Sequence, residues 1–127
     1  MISIIIPTLN EEKYLPLLLA SIKNQAFKEY EIILADAGSK DRTVEIAKQY
    51  GCRIIPGGSP SKGRNEGAKV AKGELLFFID ADAVLPPKFF EKSLRVSTII
   101  PYAAHAFSIF SSLEYREAPE LFNACTR

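Results

Sequence analysis

Two aspartates, Asp80 and Asp82, follow the apolar run 75–79 and are the sharpest candidates for chemistry in this 127-residue chain. Two like charges at the end of a buried strand repel each other, and placing them there is costly unless a cation or a partner compensates them. Oxygen ligands of this kind suit Mg²⁺ or Mn²⁺, which commonly keep water molecules and share substrate phosphates. The motif alone is equally compatible with two solvated loop carboxylates, one of them capping the following helix.

Two further side chains could serve a ligand that carries a base or a phosphate. Asp36 ends a second apolar stretch, and its carboxylate could accept hydrogen bonds from a base or a ribose, or bind its own backbone in an Asx-type turn. Arg64 opens a short predicted helix after a glycine-rich loop, and a guanidinium near a helix N-terminus favours a phosphate. For each residue taken alone, the turn residue and the surface arginine are the simpler interpretations.

The elements that must position these side chains alternate along the chain. Apolar runs predict strands over 2–6, 31–35, 52–55 and 74–79, with Pro7 ending the first because proline cannot donate to a sheet ladder. Helical spacing predicts helices over 14–26, 42–50, 64–71 and 88–96, with Asn10 and Asp41 as caps, Gly51 as a left-handed end, and a loop over 56–63. A fifth strand over 97–104 and a short helix over 106–116 are expected further on.

This alternation predicts an α/β protein with a mainly parallel sheet and helices on both faces. Ligands of such sheets bind at the carboxyl ends of the strands. Pro7 and Thr8, Asp36, the 57–62 loop and the Asp80/Asp82 pair all follow strand ends, so we expect them to converge on one edge of the sheet.

Two common phosphate-binding motifs and one related fold are excluded. Gly58 and Gly63 have the separation of a P-loop, but Arg64 and Asn65 stand where Lys and Ser or Thr are required. The dinucleotide fingerprint is absent because the first strand leads into Pro7 and not into a glycine-rich turn. A receiver-type domain would need acidic residues directly after that strand, and none are there.

Composition narrows the class of partner. With 16 Lys+Arg against 15 Asp+Glu, the net charge is +1, which argues against nucleic acid as the main partner. The length fits one domain, residues 1–127. No apolar run approaches the roughly 18 residues of a membrane span, and no secretory signal is evident. Because two cysteines are too few for a disulfide scaffold, a reducing, cytoplasmic setting is the expectation.

Five segments in this order resemble the family 2 glycosyltransferases, whose nucleotide-sugar-binding domain has the GT-A fold, a Rossmann-like three-layer α/β/α sandwich. They are Ser-Ile-Ile-Ile-Pro-Thr-Leu-Asn-Glu at 3–11, Asp-Ala-Gly-Ser-Lys-Asp at 36–41, Gly-Arg-Asn-Glu-Gly at 63–67, Ala-Lys-Gly-Glu at 71–74 and Phe-Ile-Asp-Ala-Asp at 78–82. Each segment is weak alone, and the five in register are specific. Residues 1–95 are therefore the family-like, donor-binding part, and 96–127 are a divergent or shortened tail.

The resemblance implies a function and a role for each matching residue. The function is metal-dependent transfer of a sugar, with inversion, from a nucleotide-diphosphate donor to an acceptor that the sequence does not identify. Pro7, Thr8 and Glu11 would line the nucleotide pocket. Asp36 would hold the base, and Arg64 would approach the base or the diphosphate. Asp82 would bind the divalent cation, Mn²⁺ or Mg²⁺. Asp80 would contact the ribose or that cation.

The chain departs from the family pattern at two places. Ala37 stands where the family often has a second acidic residue, which would change how the base is recognised. Of the tail carboxylates, Glu114, Glu117 and Glu120, none is assigned as the general base that inverting transfer needs. A shortened, non-catalytic member that binds a nucleotide or a partner chain is therefore the alternative function.

The tail also raises two questions of assembly and location. Its apolar residues could pair two copies of the chain, since unburied apolar patches often become interfaces. They could instead rest on the inner membrane face, although the basic amphipathic pattern of such surfaces is missing. These tail residues are Ile99, Ile100, Phe107, Ile109 and Phe110.

Overall fold

Strands and helices alternate in the computed structural model, which describes residues 1–99 and 106–109. Within those residues the sheet has the order β3-β2-β1-β4-β5, and every neighbouring pair is parallel. The predicted α/β fold with a parallel sheet is confirmed. The elements are β1 Ile2–Thr8, α1 Leu15–Lys23, β2 Tyr30–Asp36, α2 Thr43–Gln49, β3 Arg53–Pro56, α3 Pro60–Val70, β4 Leu75–Ile79, α4 Phe89–Ile99 and β5 Ala106–Ile109.

One face of the sheet carries the main hydrophobic core. Ile2, Ile4 and Ile6 of β1 are almost fully buried and share this core with the apolar stripe of α1. Side chains alternate along a strand, so every second residue of β1 points to this face. The start of α4 packs into the same core through Phe89 and Phe90, which the sequence places soon after the Asp-x-Asp motif.

The other face of the sheet is covered by α3, whose backbone lies directly on β1 and β2. A Cβ built at Gly67 would lie 2.4 Å from Ile5 Cγ2, and one at Gly63 would lie 3.2 Å from Pro7 Cβ and 3.3 Å from Ala35 Cβ. Gly67 therefore allows an approach that a side chain would block, and Gly63, one helical turn earlier, lies where a side chain would be crowded. With helices on both faces, the predicted three-layer arrangement is confirmed.

Strands β1 and β4 stop pairing before β1 ends. The β1–β4 register stops at Ile5 opposite Phe78, whereas β1 pairs with β2 as far as Thr8 opposite Asp36. Pro7 therefore lies inside β1, and the prediction that it ends the strand is wrong. The carbonyl of Thr8 accepts from the Ala37 N–H on the β2 side, so the nitrogen of Pro7 points toward the side that β4 has left. Its missing N–H breaks no ladder bond there.

Three other predictions about the elements are wrong. The helix predicted from residue 64 begins at Pro60, because Ser59 Oγ accepts from the Lys62 N–H at 3.2 Å and a proline suits the first helical position. Residues 97–99 continue α4 where a strand was expected, and Ala106–Ile109 form a strand where a helix was expected. Short apolar runs do not distinguish a helix from a strand. Residues 106–109 form a strand because they pair with the edge of β4.

The predicted caps have mixed outcomes. Gly51 has a φ of 76°, so the left-handed end of α2 is confirmed. The N-cap of α2 is Arg42 and not the predicted Asp41, although Asp41 Oδ1, one residue earlier, accepts from the Thr43 N–H at 2.9 Å. Asn10 does not cap α1: its φ is 53°, and its Oδ1 accepts from the Lys40 N–H at 2.9 Å, which ties it to the loop after β2.

The described residues bear on only some of the expectations about a membrane span and about the tail. No helix among the described residues is long and apolar enough to cross a membrane. Of the apolar tail residues, Ile99 lies in α4, and Phe107 and Ile109 lie in β5. Ile100 and Phe110 lie outside the described residues, as do the three tail glutamates.

Candidate functional site

A cavity of about 650 Å³ opens at the carboxyl edge of the sheet, where β1 and β4 diverge. The strand order reverses at this pair, and such a switch point is where open α/β sheets bind their ligands. The volume lies in the usual range for a ligand pocket. The lining residues come from four segments: Pro7, Thr8, Leu9 and Glu11 within or after β1, Ala37 after β2, Gly58, Ser59, Pro60 and Arg64 just before and in the first two turns of α3, and Asp80, Ala81 and Asp82 after β4.

The cavity contains six of the seven residues that sequence analysis proposed for the site. The one left out is Asp36, whose neighbour Ala37 lines the wall in its place. Residues at or after the ends of β1 and β4 therefore converge on one edge of the sheet, as expected, and residues of α3 join them. From the end of β2, the lining residue is Ala37 and not Asp36.

The carboxylate of Asp36 is bound within the protein. Its Oδ1 accepts from Thr8 Oγ1 at 2.9 Å and Ser39 Oγ at 2.6 Å, and its Oδ2 accepts from the N–H groups of Gly38 at 3.1 Å and Ser39 at 2.8 Å. Burial alone would raise the pKa of Asp36, but the hydrogen bonds from Ser39, Thr8 and Gly38 outweigh it and lower the pKa. This is the Asx-type turn that the sequence allowed, with an added bond to β1.

Arg64 and Asp80 form an ion pair across the cavity. Arg64 Nη2 lies 3.1 Å from Asp80 Oδ1, and the two side chains are 27% and 32% exposed. Arg64 stands in the second turn of α3 and not at its start, since the helix begins at Pro60. A guanidinium has five N–H donors, so Arg64 can hold Asp80 and still offer donors to a phosphate.

Glu11 adds a third carboxylate to this region. Burial raises its pKa, and the negative charges of Asp82, Asp41 and Asp80 raise it further. The negative charges of Glu11 and of the Asp-x-Asp motif therefore repel each other. A cation placed in the cavity would relieve this repulsion.

The loops that follow β1 and β2 are held together by hydrogen bonds. The N–H groups of Asn10 and Glu11 donate to Ser39 Oγ and Thr43 Oγ1, each at 2.8 Å, and the Glu12 N–H donates to Asp41 Oδ2 at 3.2 Å. The Lys40 and Arg42 N–H groups return bonds to Asn10 Oδ1 and Glu12 Oε2, at 2.9 and 3.3 Å. The backbone beneath Glu11 is therefore fixed by the neighbouring loop.

The Asp-x-Asp motif forms a turn that is anchored by small buried residues. Ala81 and Ala83 are 3% and 0% exposed, and the Ala83 N–H donates to the Asp80 carbonyl at 3.0 Å. Among the described residues no three His, Cys, Asp or Glu side chains are grouped closely enough to form a metal cage. Two carboxylates fit an ion such as Mg²⁺ or Mn²⁺, which takes its remaining ligands from water and phosphates.

Five lining residues besides Ala37 were given no individual role from the sequence, although the 57–62 loop was expected at this edge. Leu9 and Ala81 are apolar and carry no chemical signal. Gly58, Ser59 and Pro60 were interpreted as loop, although a serine followed by a proline is a helix-start signal that could have placed the N-terminus of α3 at the cavity.

Fold and site together define a Rossmann-like α/β protein with an acidic ligand cleft at its switch point. The chain belongs to glycosyl transferase family 2, whose family model matches residues 3–112. Solved structures agree on the fold: TarS 1-349 of Staphylococcus aureus superposes with a TM-score of 0.71 at 30% identity, covering 77% of this chain and 32% of that one. The same protein has been crystallised with UDP-GlcNAc, and that complex superposes with a TM-score of 0.70 at 30% identity, covering 77% of this chain and 31% of that one.

Curated relatives carry transferase names. The poly(ribitol-phosphate) beta-N-acetylglucosaminyltransferase TarS of Staphylococcus aureus is 37% identical over 90 residues, which is 63% of this chain and 16% of TarS. A PGL/p-HBAD biosynthesis glycosyltransferase of Mycobacterium bovis is 40% identical over 90 residues, 65% of this chain and 35% of the relative. The chain thus spans about a third or less of these relatives.

A more distant structure shares the fold alone. The mannosyltransferase PcManGT of Pyrobaculum calidifontis, solved with GDP-Man and Mn²⁺, superposes with a TM-score of 0.65 at 21% identity, covering 74% of this chain and 31% of that one.

Proposed function

We propose that this chain binds a nucleotide-diphospho-sugar in the 650 Å³ cavity and serves a glycosyltransferase as its donor site. The observation that carries the proposal is the convergence of Pro7, Thr8, Glu11, Arg64, Asp80 and Asp82 on that cavity. Names of relatives support it, since TarS has been crystallised with UDP and with UDP-GlcNAc.

Each part of the cavity suits one part of such a donor. Pro7, Leu9 and Ala37 are apolar members of the lining, and in this proposal they contact the flat face of the base. Arg64 reaches the diphosphate, because its guanidinium lies on the cavity and offers further donors beyond its bond to Asp80. The Asp36 carboxylate is engaged in its own turn beside the lining residue Ala37, and its contact with the base stays a prediction.

Asp80 and Asp82 would hold the divalent cation, Mn²⁺ or Mg²⁺, in this proposal. When bound, the cation neutralises charge on the departing nucleoside diphosphate. Arg64 adds a fixed positive charge on the same side, aimed where negative charge develops as the bond to the sugar breaks. Glu11 tightens the hold on the cation through its charge. Transfer with inversion remains part of the proposal.

The test is calorimetric titration of the chain with UDP and GDP in the presence of Mn²⁺. We expect binding that Asp82→Asn weakens by about tenfold or more, as losses of metal-site groups do. Glu29→Gln is the matched control, because it removes one carboxylate from an exposed position just before β2, at the amino edge of the sheet, whereas the cavity lies at the carboxyl edge. Absence of binding by every nucleotide tried, with the chain folded, would contradict the donor site.

A second candidate function is nucleotide binding without transfer. Slow hydrolysis of a UDP-sugar that Asp82→Asn abolishes would exclude it, whereas binding without any turnover would support it.

A further inference from the structure

Gln25 lies just beyond α1, is 5% exposed, and contacts the segment that follows Asp82 from outside the cavity. Its Nε2 donates to the Pro86 carbonyl at 2.8 Å, and its Oε1 accepts from the Phe89 N–H at 3.0 Å. One turn earlier, Ser21 Oγ accepts from the Leu85 N–H at 3.0 Å. Two side chains at the end of α1 thus bind three backbone groups of one loop. We call Ser21 and Gln25 the α1 clamp.

Between the two groups that Gln25 binds lies a residue in an unfavourable conformation. Lys88 has a φ of 60°, which is sterically unfavourable for a residue with a side chain. Such a conformation persists where the surroundings hold it. Phe89 begins α4, so its N–H has no partner within the helix, and Gln25 supplies one. The carboxamide therefore binds the Pro86–Pro87 peptide unit before Lys88 and the Lys88–Phe89 unit after it.

The held segment is directly connected to the Asp-x-Asp turn. Only Ala83 and Val84 separate Asp82 from Leu85, whose N–H is bound by Ser21. Ala83 is fully buried and bound to the Asp80 carbonyl. With one side anchored by β4 and the other by the α1 clamp, the backbone of Asp82 has little freedom to turn.

We propose that Ser21 and Gln25 are positioning residues that fix the direction of the Asp82 carboxylate and so set the affinity of the cavity for a nucleoside diphosphate with its divalent cation. This inference rests on the proposed function for the identity of the ligand. The clamp acts through the backbone, and the hydrogen bonds of its two side chains described above go to residues outside the cavity lining.

The test compares Gln25→Met with Gln49→Met. Methionine keeps the length of glutamine and removes both hydrogen bonds, and Gln49 is an exposed residue at the end of α2. Calorimetric titration with UDP and Mn²⁺, at a temperature where both variants are fully folded, should show about tenfold weaker binding for Gln25→Met and none of this loss for Gln49→Met.

A double variant separates positioning from stability. Adding Lys88→Gly to Gln25→Met removes the steric cost at residue 88 and should recover part of the lost affinity. A Gln25→Met chain that melts at a lower temperature but binds UDP and Mn²⁺ within twofold of the parent overturns the inference, because the clamp would then serve stability alone.

Failure of the proposed function would look different. If the parent chain binds no nucleoside diphosphate, the donor site is wrong, and hydrogen exchange then judges the clamp itself. Faster exchange of the Leu85 and Phe89 amides in Gln25→Met, slowed again by Lys88→Gly, supports the clamp. Unchanged exchange overturns it.

Discussion

Asp36 illustrates how one residue can fit two interpretations until its partners are known. The sequence offered a base-binding carboxylate and a turn residue, and the structure shows four hydrogen bonds from Thr8, Gly38 and Ser39. Spacing along the chain could not decide this, because the bond from Thr8 comes from a residue 28 positions away. By contrast, the place of Asp80 and Asp82 at a strand end was predictable, because it depends only on local pattern.

Asp36→Asn should lower the stability of the fold, because an amide cannot accept all four of these hydrogen bonds. Since the folded pKa of Asp36 is lowered, its stabilising effect is complete above the unfolded value of about 3.9 and is lost as the pH falls through the folded pKa. We therefore expect a difference between wild type and Asp36→Asn, measured by urea unfolding, that is present at pH 7 and shrinks below about pH 4.

Nucleotide binding by Asp36→Asn adds a check on the same residue. If Asp36 contacts the base, the variant should change the preference between UDP and GDP while leaving stability unaltered. That result would contradict the assignment of Asp36 to the turn.

Glu11→Gln should stabilise the chain when no cation is present. Burial and the charges of Asp82, Asp41 and Asp80 raise the folded pKa of Glu11, so its ionised form is unfavourable at neutral pH. The gain should be present at pH 7 and disappear as the pH falls below about 4, where Glu11 is protonated in both states. Thermal melting with and without Mn²⁺ measures it.

In the same melts, Mn²⁺ should raise the melting temperature of Glu11→Gln less than that of the parent. The exposed Glu29→Gln should behave as the parent does in both conditions. A lower melting temperature for Glu11→Gln without Mn²⁺ would show that its backbone ties and packing outweigh the repulsion.

At the scale of elements, α3 begins in a glycine-containing stretch that the sequence pattern predicts to be a loop. Residues 57–63 look flexible because glycine, serine and proline dominate them, yet Ser59 caps the helix and Gly63 lies against the sheet. The fit of a helix to the sheet beneath it is a tertiary property. The central strands β1, β2 and β4 were predictable from local sequence. Strands that are buried on both faces consist of nearly continuous apolar residues, and such runs can be recognised in the sequence.

Gly67→Ala should destabilise the fold by about 1–3 kcal/mol, because the added methyl would lie 2.4 Å from Ile5 Cγ2. Ile5→Ala removes that atom, so the double variant should lose less stability than the sum of the two single variants. Urea unfolding of all four chains measures the coupling. Additive losses would contradict the close approach of α3 to β1.

At the scale of the whole molecule, binding and folding are linked, because the cavity is built from segments that meet only in the folded chain. At a free concentration of UDP with Mn²⁺ about 100 times the dissociation constant, the free energy of unfolding should rise by about 2.7 kcal/mol. Thermal melting over a range of UDP concentrations measures this rise. A melting temperature that does not change with UDP, in a chain that calorimetry shows to bind, would mean that the unfolded chain binds equally well.

Self-association through the apolar tail also stays a prediction for the whole molecule. Sedimentation of the chain at micromolar concentration checks it, with dimer as the expected species and monomer as the contradicting one. The order of the last elements was the least predictable part of the sequence, because short apolar runs in that region carry no helical or strand period.

The paired loops after β1 and β2 have a consequence for the speed and entropy of binding. Their mutual hydrogen bonds mean that the conformational entropy of ordering this wall is lost when the chain folds and not when a ligand arrives. A nucleotide should then associate at the rate of a preformed pocket, in one step, with no slow loop-closing phase in stopped-flow traces.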